Sequence, residues 1–309
     1  SKKRNVAFIA ALLFTAHPIH TERVTNITGG FDQLGIFFLL ASIYAYILFR
    51  EDNKIKFAWL SSGLLILGLF SSEEAATFLP LIILFDFFSR EPFRKRLKAY
   101  AIYAGITLLY LILRFWVLGI GKRAEGFSPY ITVITMIAAL IKYIWLLFAP
   151  FPLTVQHGIF LKSLSFFSPR ILLSFAAIIC LLGFAFFYRK RLPEISFGIF
   201  WFFIALIPFL HIVPIQTVMA ERYLYMPSIG FALISAFVIG KIADIPRPYG
   251  KQLIAFLFLG IILIGYGAIT AARNADWRDD LTLWEQTVKI SPWSSFAHDN
   301  LGFAYEQIG

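Results

Sequence analysis

Long apolar blocks alternate with short polar interruptions along most of this chain. The blocks are Val6–Ala16, Leu34–Phe49, Phe57–Phe70, Ala76–Phe88, Ala99–Leu118, Tyr130–Ala149, Ile171–Tyr188, Ile195–Ile212, Tyr223–Gly240 and Leu253–Ala272. None carries the wide polar face of a helix on a soluble surface. A hydrocarbon core takes about 20 helical residues, fewer where the protein shields the ends. The pattern therefore predicts an all-α polytopic helical membrane domain over residues 1–272. Past Arg273 the long blocks stop and Asp, Glu, Asn and His return, so a second unit is expected over 273–309. Leu281–Ile290 reads as a helix, with Asp279 or Asp280 as N-cap and Ser291-Pro292 after its end.

The first block has the outline of a signal peptide, but Phe14 stands at the −3 position, where a small residue is needed. The chain does not begin with Met. It is better read as an internal piece of a longer protein, with further helices expected upstream.

Composition agrees with a membrane domain. Apolar and aromatic residues make up 59% and charged residues 15%, with a mean hydropathy of +0.75; soluble domains average about 45–50% and about 25%. Thirty-five Phe, 7 Trp and 13 Tyr exclude intrinsic disorder, since such a chain must bury aromatic surface. One cysteine, Cys180, excludes a disulfide framework. The net charge of +10 would suit nucleic acid in a soluble protein. Here 17 of the 28 basic residues fall in five clusters between blocks, at Lys2–Arg4, Arg50–Lys56, Arg90–Lys98, Arg189–Arg191 and Lys241–Lys251. That is the pattern of cytoplasmic loops, and no nucleic-acid partner is expected. With these loops inside, 17–33, 71–75, 213–222 and everything after 273 fall on the far side. Three blocks lie between the basic loops at 90–98 and 189–191, where only an even number of crossings fits. Tyr130–Ala149 or a neighbour is therefore expected to be re-entrant or interfacial.

The far-side segments hold the candidate chemistry. The first contains His17, Pro18, His20, Glu22, Arg23, Gly29, Gly30 and Asp32, a density of polar groups that is costly at a membrane unless paired or used. As a metal site, His17, His20 and Glu22 would approach one ion, although Pro18 prevents a regular helical turn and no established zinc spacing matches. As an acid/base and anion site, Glu22 or Asp32 would take a proton from a hydroxyl while Arg23 or a histidine holds a phosphate. A solvated loop capping two helices is the plain alternative. The second segment, Ser71-Ser72-Glu73-Glu74, suits both a Ser72 helix cap and a cavity lined by Glu73 and Glu74. In the third, Glu221-Arg222-Tyr223-Leu224-Tyr225, an Arg beside tyrosines suits a lipid phosphate head group. There, too, Glu221 pairing with Arg222 is the plain alternative. His211 and His157 read as hydrogen-bonded packing residues, Arg114 as a snorkelling side chain, and Trp145 and Trp201 as packing or lipid-facing residues.

Three motifs in order carry a resemblance. His17-Pro18-Ile19-His20-Thr21-Glu22 with Asp32, the Ser72–Pro80 stretch ending at Asp86, and Ala220-Glu221-Arg222-Tyr223-Leu224-Tyr225-Met226-Pro227-Ser228 are similar to the transmembrane-and-tetratricopeptide-repeat O-mannosyltransferases and their bacterial relatives, of the GT-C superfamily. The junction Arg273-Asn274-x2-Trp277 and the Ala297-x2-Asn300-Leu301-Gly302-x2-Tyr305-x3-Gly309 spacing resemble the opening of a tetratricopeptide array. The resemblance implies a GT-C-like domain at 1–272 and a junction helix with the first repeat segment at 273–309. It implies an inverting transfer of a hexose, mannose foremost, from a polyprenyl- or dolichyl-phosphate donor to a protein hydroxyl. The transfer would take place on the extracytoplasmic or lumenal face of a bacterial inner membrane or endoplasmic reticulum, with the repeats engaging the acceptor. Arg222, Tyr223, Tyr225 and Arg23 would bind the donor phosphate, and Glu22 and Asp32 would be catalytic. His17, His20, Glu73, Glu74 and Glu221 would line the cavity. No cofactor is required, with a divalent cation (Mg or Mn) left open. The superfamily's principal carboxylate belongs to a loop upstream of residue 1. Many members carry Ser-Lys-Glu where this chain has Ser72-Glu73-Glu74, which weakens a phosphate role for that turn. A non-catalytic repeat scaffold and a lipid or sugar transporter are the alternatives; a transporter should show two related halves, and the sequence shows no such symmetry.

Overall fold

The computed structural model describes residues 2–119, 128–157, 165–212, 215, 217–243 and 250–308. Val213, Pro214 and Gln216 of the third far-side segment and Arg247 of the last basic cluster lie outside them. The described residues form α1 (Lys2–Ala16), α2 (Thr21–Thr25), α3 (Gly30–Asp52), α4 (Ile55–Ser71), α5 (Phe78–Phe88), α6 (Phe93–Ile112), α7 (Pro129–Phe148), α8 (Pro169–Tyr188), α9 (Pro193–Leu206), α10 (Ser228–Ala243), α11 (Gly250–Asp276), α12 (Asp280–Ile290) and α13 (Ser295–Glu306). Among the described residues, five helical segments are long and apolar enough to cross a membrane: Gly30–Asp52, Phe93–Val117, Pro129–Phe148, Pro169–Tyr188 and Leu253–Asp276. The protein is an all-α polytopic membrane protein, as the block pattern predicts.

Local chemistry sets the helix limits. Ser128 and Ser168 accept a hydrogen bond from the third residue on, and Pro129 and Pro169 follow them at the first helical position, where a missing N–H costs nothing. Asn53 closes α3 in the left-handed conformation at φ 55°, which Asn tolerates better than most residues. One predicted limit moves. The block at Tyr223–Gly240 begins its α-helix only at Ser228, because Glu221–Leu224 forms a 3-10 turn and Pro227 cannot donate within a helix.

Small residues bring the helices together, as expected where no hydrophobic force acts between spans in lipid. Ser42 on α3 donates to the Ser61 carbonyl at 2.7 Å, and Ser61 on α4 returns a bond to the Ser42 carbonyl at 2.9 Å. Where α9 crosses α10, a Cβ on Gly230 would lie 2.3 Å from the Gly198 carbonyl oxygen. One core joins Leu39, Tyr46, Leu65, Phe78, Ile82 and Tyr103 from α3 to α6; another joins α1, α10 and α11 through Leu13, Ala236 and Leu259. On α11, Leu253, Phe256, Leu257, Phe258, Ile261 and Ile264 are all more than half exposed, the surface that lipid tails cover.

The bundle has two chemically distinct ends. At the basic-loop end, buried Asp86 accepts from Tyr46 and from Tyr100 at 2.5 Å and lies 3.5 Å from Arg50, tying α3, α5 and α6. Asp32, at the opposite end of α3, belongs to the charged cluster described below. Helix α7 packs against that second end through its middle and its finish, while Ile134, Ile137 and Ala138 pack on Ile171 and Ile178 of α8. Near its start, Tyr130 accepts from the Phe166 N–H just before α8, at 2.9 Å. At its finish, the Leu147 carbonyl meets His17 at 3.0 Å. Between them Met136, Ala139 and Tyr143 pack with Ile19, Phe209, Ala220 and Tyr223.

After α11, which continues unbroken through residue 273 to Asp276, α12 and α13 form a helical hairpin. Asp279 caps α12 through the Thr282 N–H at 2.8 Å. Trp284 meets Phe296 edge-on at 5.7 Å, Tyr305 donates to Glu285 at 3.0 Å, and Ala297 and Ala304 are buried between the helices.

Candidate functional site

Three segments far apart in sequence meet at the end of the bundle that the C-terminal half of α7 reaches. Glu22, 1% exposed, accepts from the backbone N–H of Arg222 at 3.0 Å and from its guanidinium. Burial raises the Glu22 carboxyl above its ordinary value; the Arg222 charge opposes this and Glu221 adds to it. Arg222 also donates to Thr217 at 3.2 Å and lies over the Tyr223 ring at 5.0 Å. It keeps 27% of its side chain exposed, and Tyr223 in turn stacks on Phe209 at 4.0 Å.

Arg23 faces the second segment. Its guanidinium meets Glu74 at 2.5 Å and Asp32 at 3.5 Å, and lies 6.0 Å from the centre of the Tyr225 ring. Only 2% of the side chain is exposed, so carboxylates rather than a phosphate meet the Arg23 guanidinium. Burial pushes the Glu74 carboxyl up to about 7 against the pull of Arg23. Ser72 accepts from the Glu74 N–H at 3.4 Å, so the turn is capped by Ser72 as well as packed against Arg23. Glu73 pairs with Arg114 at 3.0 Å. Arg114 sits in the π-helical turn Leu113–Val117 that ends α6 and is a paired cation rather than a snorkelling one.

The histidines orient the first segment. His17 accepts from the Ile19 N–H at Nδ1 (3.2 Å), so its Nε2 carries the proton toward the Leu147 carbonyl. Burial lowers its pKa to about 4. Ser228 donates to the Tyr225 carbonyl at 2.7 Å, which leaves its oxygen to accept from His20 Nε2 at 2.8 Å. His17, His20 and Glu22 thus turn to three different partners. Among the described residues no group of three or more His, Cys, Asp or Glu could hold a metal ion.

Glu221 corrects one expectation. It pairs with His157 at 3.1 Å, accepts from the Thr154 N–H, and lies 4.0 Å from Arg273, while Arg222 turns the other way to Glu22. Sequence reasoning missed this role for His157 and Arg273. Arg273 stood in the junction motif, which was the available signal; nothing local marks His157.

The fold and these ion pairs define a polytopic membrane protein with a charged site at one end of its bundle. A family profile described as dolichyl-phosphate-mannose-protein mannosyltransferase matches residues 2–120. The protein O-mannosyl-transferase TMTC4 of Homo sapiens is 26% identical over 96% of this chain and 46% of its own length. TMTC3 of Mus musculus is 27% identical over 97% of this chain and 37% of its own, and Tmtc3 of Drosophila melanogaster 24% over 100% and 40%. The chain is similar to these protein O-mannosyl-transferases over nearly all of its own length, and it spans less than half the length of these relatives. No solved structure matches it.

Proposed function

We propose that this chain is the membrane-embedded part of a glycosyltransferase. It would move a hexose, mannose foremost, from a polyprenyl-phosphate donor to a protein hydroxyl on the extracytoplasmic or lumenal face. The observation that carries this reading is the meeting of three segments through two ion pairs, Glu22 with Arg222 and Arg23 with Glu74, made by neighbouring residues of the first segment. The names of the relatives agree with it.

In this reading the acceptor oxygen attacks the sugar's C1 as the C1–O bond to phosphate breaks, inverting the carbon. The hydroxyl proton passes to a carboxylate, and the lipid phosphate leaves with the bonding pair. Glu22, made more basic by burial, and Asp32 position the sugar or share the base duty. Arg222 spends two of its side-chain N–H groups on Glu22 and Thr217. Its remaining donors face the growing phosphate charge, and Tyr223 and Tyr225 flank the same spot. Arg23 holds Glu74 and Asp32 in place beneath it; His17, His20, Glu73 and Glu221 complete the lining. The repeats would hold the acceptor, turning a bimolecular encounter into an oriented one.

The test is transfer of labelled mannose from a polyprenyl phosphate by the full-length protein in membranes. Arg222→Ala is expected to lower transfer roughly 10²–10³-fold. Unchanged transfer removes Arg222 from the phosphate site.

A further inference from the structure

Glu221 and Arg222 are neighbours in one 3-10 turn and are held from opposite sides. Arg222 is fixed to Glu22 of the first far-side segment. Glu221, fully buried, is fixed to the loop after α7 through Thr154 and His157. That loop is tied to the α12–α13 hairpin, because Ser291, 1% exposed, donates to the Gln156 carbonyl at 2.5 Å. The end of α11 approaches the same turn: Arg273, 4% exposed, pairs with Asp276 at 3.1 Å, and its Nη2 faces Glu221 Oε2 at 4.0 Å. Among the described residues both of these facing atoms lack a hydrogen-bond partner. A charge-assisted bond of this kind closes at about 2.7–2.9 Å, so a shift of the helix end by about 1 Å would complete it.

We propose that Arg273 is a positioning residue that acts on Arg222 through Glu221, coupling the α12–α13 hairpin to the donor site. The proposal rests on the reading of Arg222 as the donor-phosphate residue. Closing Arg273 onto Glu221 completes a buried pair and locks the turn that aims Arg222. A load on the hairpin, such as a bound acceptor polypeptide, reaches the same turn by two routes, the helix end at Arg273 and the Ser291–Gln156 tie. Neither Arg273 nor Glu221 needs to touch substrate for this.

Two readouts on the full-length protein test it. The first is the distance between spin labels at Phe151→Cys, on the loop, and Phe303→Cys, on α13, both exposed positions, with the exposed native Cys180 replaced by Ser. Arg273→Gln should broaden the distance distribution at least twofold, and Arg273→Lys should keep it narrow. Polyprenyl phosphate alone should narrow it further in the unmutated background and not in Arg273→Gln. The second is mannose transfer: Arg273→Gln should lower kcat at least tenfold with the donor KM within threefold, and Arg273→Lys should recover most of kcat. An unchanged distribution and unchanged kcat in Arg273→Gln overturn the proposal. So does equal loss in both variants with equal loss of thermal stability, which marks a fold contact only. A protein that shows the Arg273-dependent distance but transfers no hexose overturns the donor reading instead.

Discussion

Glu22 accepts both the backbone N–H and the guanidinium of Arg222, a residue 200 positions further along the chain. The pair joins the segment after α1 to the turn before α10 and holds a carboxylate and an arginine in fixed register. A guanidinium keeps its charge where an ammonium would lose it on burial, and its planar fork leaves further donors when two are used.

Glu22→Gln should therefore separate charge from shape. The amide fills the same space but presents a donor toward Arg222 and cannot take a proton. Mannose transfer is expected to fall about 10²-fold or more, and Glu22→Asp should fall less. Transfer by Glu22→Gln within threefold of the parent would remove Glu22 from the chemistry.

Arg23 is the buried partner of Glu74 and Asp32. Arg23→Ala leaves the Glu74 carboxylate enclosed and unpaired, a change that costs about 3–5 kcal/mol in buried pairs. A proton relieves that cost, and Glu74 already takes one near pH 7. The destabilisation measured by thermal unfolding in detergent should thus be larger at pH 8 than at pH 6. The double variant Arg23→Met/Glu74→Leu should recover most of it. Equal loss in the single and double variants would mean that the pair is not what holds these segments.

The crossing of α9 and α10 leaves no room for a side chain at Gly230. Gly230→Ala should destabilise by about 1–3 kcal/mol and reduce transfer, because the crossing supports Ser228 and, through it, His20. Gly260→Ala on lipid-facing α11, where a Cβ meets nothing within 4 Å, is the matched control and should be neutral or mildly stabilising. Similar thermal unfolding of both variants would contradict the close contact.

His17 gives the site a pH limit. Its folded pKa, lowered by burial to about 4, lies below the ordinary 6.5, so the unfolded chain takes up the proton first. The stability tied to neutral His17 is complete above pH 6.5 and is lost as pH falls from 6.5 toward 4, by roughly 3 kcal/mol in all. His20, also held low by burial and by His17, acts in the same direction. Thermal unfolding across pH 4–8 should show this slope, and His17→Gln should flatten it. An identical slope in the variant would place the titration elsewhere.

The helical blocks were legible because a membrane imposes one simple rule on composition. The parity of the basic loops leads to the expectation of a re-entrant or interfacial block among α6, α7 and α8, whereas the contacts of Tyr130 and Leu147, which join α7 to the start of α8 and to His17, left no trace in the sequence. The three polar segments stood out because polar groups are costly beside apolar blocks. Their pairings did not. Glu221 beside Arg222 in sequence looks like an ion pair, yet a tight turn sends the two side chains apart, to His157 and Glu22. Arg114 looked unpartnered because Glu73 lies 41 positions away. Such partners are chosen by helix packing, which leaves no local trace.

A structure of the full-length protein with bound polyprenyl phosphate tests the donor site most directly. The phosphate is expected within hydrogen-bond distance of the Arg222 guanidinium, between the 17–33 segment and the Tyr223 and Tyr225 rings, with the isoprenoid running down the apolar helices. A phosphate bound at the basic-loop end, or anywhere beyond the reach of Arg222, would contradict it.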